Sequence, residues 1–299
     1  MITIHLDPSQ SITEALSKLA FDEEITIMLS PGIYEEKLRI YHSNLVLKGT
    51  SRDDTVISYG DYARKIHADG KEYNTFRTPT VTVLGNNVMI TDLSIRNPAG
   101  YGPSIGQALA LSLYGDLITV RDCNLLGFQD TLFCGPLPVD LTERYLGFLP
   151  REELHTNRTR HHFLNCRIEG HVDFIFGSAE ALFEDCEIVS LMPGFIAAPS
   201  TYATSDLGFL FWNCRFISLP KTGKVFLARP WREHGCAAFY ECSFEGLFAE
   251  ERFDRWEKSE YRFYEHPYVY SSMSRDLPKE SFGKMKNRLA SAFTGRITL

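Results

Sequence analysis

Five polar residues stand out for the chemistry they could do together: Gln107, Gln129, Asp130, Asp173 and Arg229. Asp173 sits in His171-Val172-Asp173-Phe174-Ile175-Phe176-Gly177, an apolar, β-favouring run closed by glycine. An ionised carboxylate in such a run costs free energy unless something pairs with it. Two neighbouring carboxylates do not both ionise freely, and an arginine lowers the pKa of the one it touches. If Arg229 reaches Asp173, Asp173 stays ionised and Asp130 holds the proton. That separates the pair into a nucleophile and an acid. The side-chain amides of Gln107 and Gln129 can donate to an oxyanion. Together these are the parts of an ester hydrolase with an aspartate nucleophile.

Taken singly, each residue has a plain structural explanation. An Asp before Thr-Leu makes a turn bond, a Gln in stacked strands joins a polar ladder, and an Arg–Asp pair is a buried salt bridge. Their joint spacing is what favours a shared chemical role. From Gln107 to Gln129 is 22 residues and from Asp173 to Arg229 is 56. One geometric objection stands: in a regular strand Gln129 and Asp130 point to opposite faces, so a turn or bulge must re-aim one of them. Tyr101, Phe128, Phe176, Tyr202 and Trp231 lie nearby in sequence. A row of exposed rings suits apolar sugar faces; core packing is the alternative. Trp231, after Arg-Pro, is the best candidate for exposure.

The elements that must position these residues come from an internal repeat. Asp122-Cys123-Asn124-Leu125 recurs as Asn165-Cys166-Arg167-Ile168, Asp185-Cys186-Glu187-Ile188, Asn213-Cys214-Arg215-Phe216 and Glu241-Cys242-Ser243-Phe244. Two earlier copies, at Asn44 and Asp92, carry leucine in place of cysteine. Cys123 and Cys166 are 43 residues apart, and the next intervals are 20, 28 and 28. A unit of short strands this size cannot bury its own face, whereas stacked units can. The expected fold is therefore all-β: a parallel β-helix, or solenoid, in which equivalent positions of adjacent coils lie about 4.8 Å apart. Five of the seven cysteines then form a buried column.

A second strand precedes the corner at Val81–Gly85, Leu109–Gly115, Thr131–Gly135 and Phe174–Gly177. Residues 9–20 read as a short N-terminal capping helix, with Ser11 and Glu14 at capping-box spacing. Residues 136–157 interrupt the repeat, accounting for the 43-residue interval, and read as a loop forming a cleft lip. The repeat stops near Glu250. The tail, about 250–299, reads as irregular chain packing back through Tyr261–Tyr270, with a closing helix over 279–293. All 299 residues read as one domain.

Composition is that of a globular protein, 44% hydrophobic and 23% charged, with a formal net charge of -7. That charge argues against nucleic acid as a partner. No apolar run is long enough to span a bilayer, and Met1 to Leu6 shows no export signal. The sequence as written reads as cytoplasmic; a secreted or periplasmic place would need an export signal removed from it. No cluster of His, Cys and Glu has metal spacing, and no nucleophile elbow or phosphate loop is present.

At this point the residues resemble the pectin methylesterase (pectinesterase) family, carbohydrate esterase family 8. The matching stretches are Pro31–Glu36, Gly60–Ala63, Gln107–Leu111, Gly127–Leu132, Val172–Gly177 and Leu227–Trp231, in the family's order over roughly residues 10–265. The resemblance implies a right-handed parallel β-helix and hydrolysis of galacturonate methyl esters to methanol and carboxylate. It implies Asp173 as nucleophile, Asp130 as acid/base, Gln129 and Gln107 as the oxyanion site, and Arg229 as the group holding Asp173. Trp231 and Phe176 would lie against the sugar, with Tyr202 and Tyr101 as further candidates. It implies no metal or organic cofactor. The expected partner is methyl-esterified pectin or an oligogalacturonide, acted on by a monomer. Ala228 and Phe133 depart from the family's usual glycine and tyrosine, and the 136–157 insertion is long. With the net charge and the missing export signal, the insertion leads to the expectation of short oligogalacturonides over polymer. Rival readings are a two-aspartate β-helix glycosidase, a non-catalytic carbohydrate-binding solenoid, and a relative acting on another ester or a thioester. Methanol release separates them.

Overall fold

The computed structural model describes residues 2–267 and 272–294. Its strands are short, with apolar residues at alternate positions: Ile25–Leu29 buries Ile25, Ile27 and Leu29 and leaves Thr26 and Met28 half-covered. One such strand has a single apolar row and must stack to bury it. The strands stack in parallel into a ten-stranded sheet running from Ile2–Leu6 to Arg262–His266. The remaining faces form a thirteen-stranded sheet, through which the long strands Arg167–Gly177 and Glu187–Pro199 run continuously. The result is the expected right-handed parallel β-helix. Phe163, Phe183, Phe211 and Phe239 stack up its interior with ring centroids 4.6, 4.6 and 4.9 Å apart.

The repeated dipeptide marks a corner. Asp92, Asp122, Asn165, Asp185, Asn213 and Glu241 have φ between 50° and 57°. Asn and Asp enter this left-handed region more readily than other side chains. Their polar groups also bridge coils: the Asn165 amide donates to Asp122 and the Asn213 amide to Asp185, both at 2.6 Å. The cysteine that follows points inward. Cys123, Cys166, Cys186, Cys214 and Cys242 each donate a thiol hydrogen bond to a carbonyl of the preceding coil, at 3.3–3.6 Å. The expected column is present, with Cys242 only half-buried.

Three expectations need correction. The copy at Asn44 belongs to a different corner: Leu45–Lys48 pairs with Val88–Thr91 in the ten-stranded sheet. Asn44 therefore matches Asn87, whose amide donates to it at 2.7 Å. Both have φ 55°, so the same left-handed demand produces the same polar-then-apolar signature. The N-terminal helix is only Ile12–Leu16. Ser11 accepts from the Glu14 amide, but the Glu14 carboxylate turns to Lys18, and Glu36 of the next coil caps Ile12 and Thr13 instead. The repeat also continues past Glu250: Arg262–His266 adds a further rung, pairing Tyr240 with His266. Of the expected 261–270 packing segment, residues 268–270 lie outside the described residues. The closing helix is Lys279–Ser291, which packs Phe282 and Leu289 against Leu182, Leu210 and Tyr240.

The insertion folds into a helix, Val139–Arg144, and a single turn at Arg151–Glu153. It lies over an outer face of the solenoid and builds a second apolar cluster there. Leu137, Leu141, Tyr145 and Leu149 pack with Phe76, Phe133 and Phe176. Phe133 is thus covered by the insertion and fully buried.

Candidate active site

Gln107, Gln129 and Val172 occupy successive coils. The Ala108 amide donates to the Gln129 carbonyl and the Asp130 amide to the Val172 carbonyl, both at 3.1 Å. Arg229 follows the short strand Val225–Ala228, whose Ala228 pairs with Ala197 of the coil before. The stacking thus brings all five polar residues onto one cavity of about 480 Å³.

The objection from strand alternation is resolved by the backbone. Asp130 has φ 62° and Asp173 φ 49°, and the strand register slips on both sides of Val172, between Gly170 and Ile175. A bulge of this kind re-aims side chains. Each left-handed non-glycine residue costs about 1 kcal/mol or more. The run then closes on Gly177, φ 130°, where a Cβ would sit 2.0 Å from the Cys134 carbonyl oxygen.

Arg229 grips Asp173 with two hydrogen bonds, Nε to Oδ1 at 2.8 Å and Nη2 to Oδ2 at 2.6 Å. The guanidinium is itself clamped between two rings, its carbon 3.9 Å from the centroids of both Phe195 and Trp256. Asp130 has no such partner: its carboxyl makes no hydrogen bond among the described residues, and the residue is 8% exposed. Burial, reinforced by the Asp173 charge, pushes its pKa well above the ordinary carboxylate value. Burial raises Asp173 too, but the Arg229 hydrogen bonds and charge pull it back. The arginine therefore offsets burial without reversing it, and Asp130 is the better proton holder. Gln107 and Gln129 line the same cavity, and their side-chain amides have no hydrogen-bond partner among the described residues.

Phe176 and Trp231 both line the cavity, edge to face at 5.5 Å. Phe176 is 3% exposed and also packs on Phe133, so it serves scaffold and cavity wall together. Tyr202 and Tyr101 do not line it. The Tyr202 hydroxyl is drawn to the Leu137 carbonyl at 2.7 Å, which ties it to the insertion. Tyr101 lies exposed on the rings of Phe128 and His171. His161 and His162 do face opposite ways, His161 into the core and His162 onto Glu184. Among the described residues, no group of three or more His, Cys, Asp or Glu side chains could hold a metal ion.

Sequence reasoning missed Trp256, Phe76, Arg144, Tyr145 and Arg232, which also line the cavity. Trp256 lies in the irregular stretch after the repeat and Arg144 in the insertion, where no periodicity marks a facing direction. Arg232, one residue beyond Trp231, pairs bidentately with Asp140 of the inserted helix.

A buried, arginine-clamped carboxylate beside one whose pKa is raised, with free amide donors, defines a β-helical protein with a two-carboxylate site suited to acyl transfer. The chain matches the Pectinesterase family model over residues 7–136 and 150–269, and it belongs to the pectinesterase family. It is 31% identical over 247 residues to pectinesterase QRT1 of Arabidopsis thaliana, a match covering 80% of this chain and 58% of that relative. The chain thus spans little more than half the length of that curated relative. Among solved structures, pectin methylesterase from Yersinia enterocolitica aligns with TM-score 0.72 at 27% identity, covering 95% of this chain and 97% of that one. A pectin methylesterase in complex with hexasaccharide VII aligns with TM-score 0.73 at 25% identity, covering 97% and 94%.

Proposed function

We propose that this protein hydrolyses the methyl esters of galacturonate units in pectin or oligogalacturonides, releasing methanol. The observation that carries the reading is the bidentate Arg229–Asp173 pair beside the unpartnered, buried Asp130. Membership of the pectinesterase family supports the substrate class.

In the proposed reaction, Asp173 attacks the ester carbonyl carbon. The Gln107 and Gln129 amides donate to the oxygen that becomes negative. Asp130 gives its proton to the departing methoxide, which leaves as methanol, and an anhydride joins Asp173 to the substrate acyl group. Asp130, now ionised, takes a proton from water, and the hydroxide attacks the anhydride. The galacturonic acid so formed departs, losing its proton to solvent, and Asp173 is restored as a carboxylate. Phe176 and Trp231 offer apolar surface to the sugar ring.

Short, methyl-esterified oligogalacturonides are the preferred substrates in this reading. The support is the inserted helix, which walls the cavity with Leu141 and Tyr145. Methanol release from esterified trimers and from intact pectin tests both parts. No methanol from either removes the proposed function; equal rates on the two remove the preference for short chains.

A further inference from the structure

The cavity contains three arginines, and two are neutralised within the protein. Arg229 is held by Asp173, and Arg232 by Asp140 at 2.7–2.9 Å. Burial and the neighbouring Asp173 charge favour the protonated form of Asp130. Arg144 is left over. It is exposed, lines the same cavity, and makes no hydrogen bond or ion pair among the described residues. Its guanidinium carbon lies 5.8 Å from the Tyr145 ring centroid. Its helix carries two acids: Asp140 is paired with Arg232, and the exposed Glu143 makes no ion pair with it. The cavity mouth thus carries a guanidinium that forms no ion pair among the described residues, on a chain whose formal net charge is -7.

The position of that charge is secured. Tyr145, the next residue, is 7% exposed, and its hydroxyl donates to Asn74 at 2.9 Å. Arg77 stacks on Phe148 at 3.6 Å and donates twice to its carbonyl. Glu153 is buried and paired with Arg39. The insertion is therefore pinned at Asn74, Arg77, Arg39 and Arg232, and Arg144 is presented from a fixed frame. Residues 137–149, which contain it, fall outside the span that matches the family.

We infer that Arg144 is a specificity residue that binds the free carboxylate of a galacturonate unit next to the one being hydrolysed, so that partly de-esterified chains are favoured over fully esterified ones. The inference rests on the proposed esterase activity. A guanidinium matches a carboxylate through paired N–H donors. A methyl ester offers no charge to it. Because the residue is exposed, the effect is modest and falls as salt rises.

The test uses the full chain with two galacturonate trimers, one fully methyl-esterified and one with a single free carboxylate beside an ester. The wild type is expected to show kcat/KM about three- to tenfold higher on the mono-acid trimer, mainly through KM. Arg144→Gln is expected to bring that ratio to about one, and Arg144→Lys to keep part of it. Raising salt from about 0.05 to 0.5 M should shrink the wild-type ratio and leave that of Arg144→Gln unmoved. A wild type that releases methanol from both trimers without preference overturns the inference and leaves the function standing. A preference that survives in Arg144→Gln also overturns it. No methanol from either trimer removes the function itself.

Discussion

Asp130 and Asp173 share one cavity but differ in what touches them, and two predictions belong at this scale. In the proposed reaction Asp173 acts ionised and Asp130 protonated, so the rate should follow a bell in pH. It falls on the acid side as Asp173 gains a proton and on the basic side as Asp130 loses its own. Arg229 lowers the Asp173 pKa against the effect of burial. In Arg229→Ala the acid limb of kcat/KM should therefore move to higher pH; an unmoved limb would mean the guanidinium is not coupled to Asp173. The second prediction concerns stability. The folded pKa of Asp130 is raised, so between the unfolded value near 3.9 and the folded value the native state binds the extra proton. Its contribution is present below the unfolded value and lost as pH rises through the folded one. Asp130→Asn removes that loss, and its melting temperature should exceed the wild type's at neutral pH by an amount that shrinks in acid. A lower melting temperature at neutral pH would show that the carboxyl is better accommodated than its burial indicates. These residues were legible in the sequence because their types suit the proposed chemistry and coil length sets their spacing. Which way Gln129 and Asp130 point was not, since the left-handed φ of Asp130 has no signature apart from its neighbours' packing. That Tyr101 and Tyr202 lie outside the cavity lining was not legible for a related reason: an aromatic near a site in sequence carries no record of the hydrogen bond or ring that turns it aside.

Among the elements, the left-handed corner recurs most often, and it gives the clearest stability test. Asn213 has φ 53° and donates to Asp185. Asn213→Gly loses the bridge but not the backbone freedom; Asn213→Ala loses the bridge and meets the left-handed penalty. The alanine variant should be less stable than the glycine variant by about 1 kcal/mol in denaturant unfolding. Equal stabilities would show that the corner conformation is not what selects Asn and Asp here. The corner was readable because the polar residue is followed by an inward apolar one, cysteine in five copies and leucine after Asp92. The same legibility misled at Asn44, where an equivalent backbone demand at a second corner wrote nearly the same two letters. The tail shows the reverse case. Arg262–His266 pairs as a full rung, yet its sequence lacks the cysteine corner and so looked like the end of the repeat.

The whole molecule is a solenoid with one wall added. That wall, the insertion, is fastened across several coils, and its most buried fastening is Glu153 to Arg39. Glu153→Ala leaves Arg39 without its acid, and the expected cost is about 2–4 kcal/mol; a variant unfolding at the wild-type midpoint would mean the wall is held elsewhere. The insertion's existence was plain from the 43-residue interval. Its internal helix and the side it lies on were not, because 22 irregular residues carry no period and their place is decided by contacts with Phe76, Asn74 and Arg39, distant in sequence. What the solenoid accomplishes is to assemble Gln107, Gln129, Asp130, Asp173 and Arg229 from separate coils, and the proposed chemistry converges on Asp173. Methanol release from a methyl-esterified oligogalacturonide by Asp173→Asn, with circular dichroism to verify folding, tests this most directly. The mechanism predicts a folded variant slower than the wild type by at least about a thousandfold; a folded variant that releases methanol at a rate near the wild type's would contradict it.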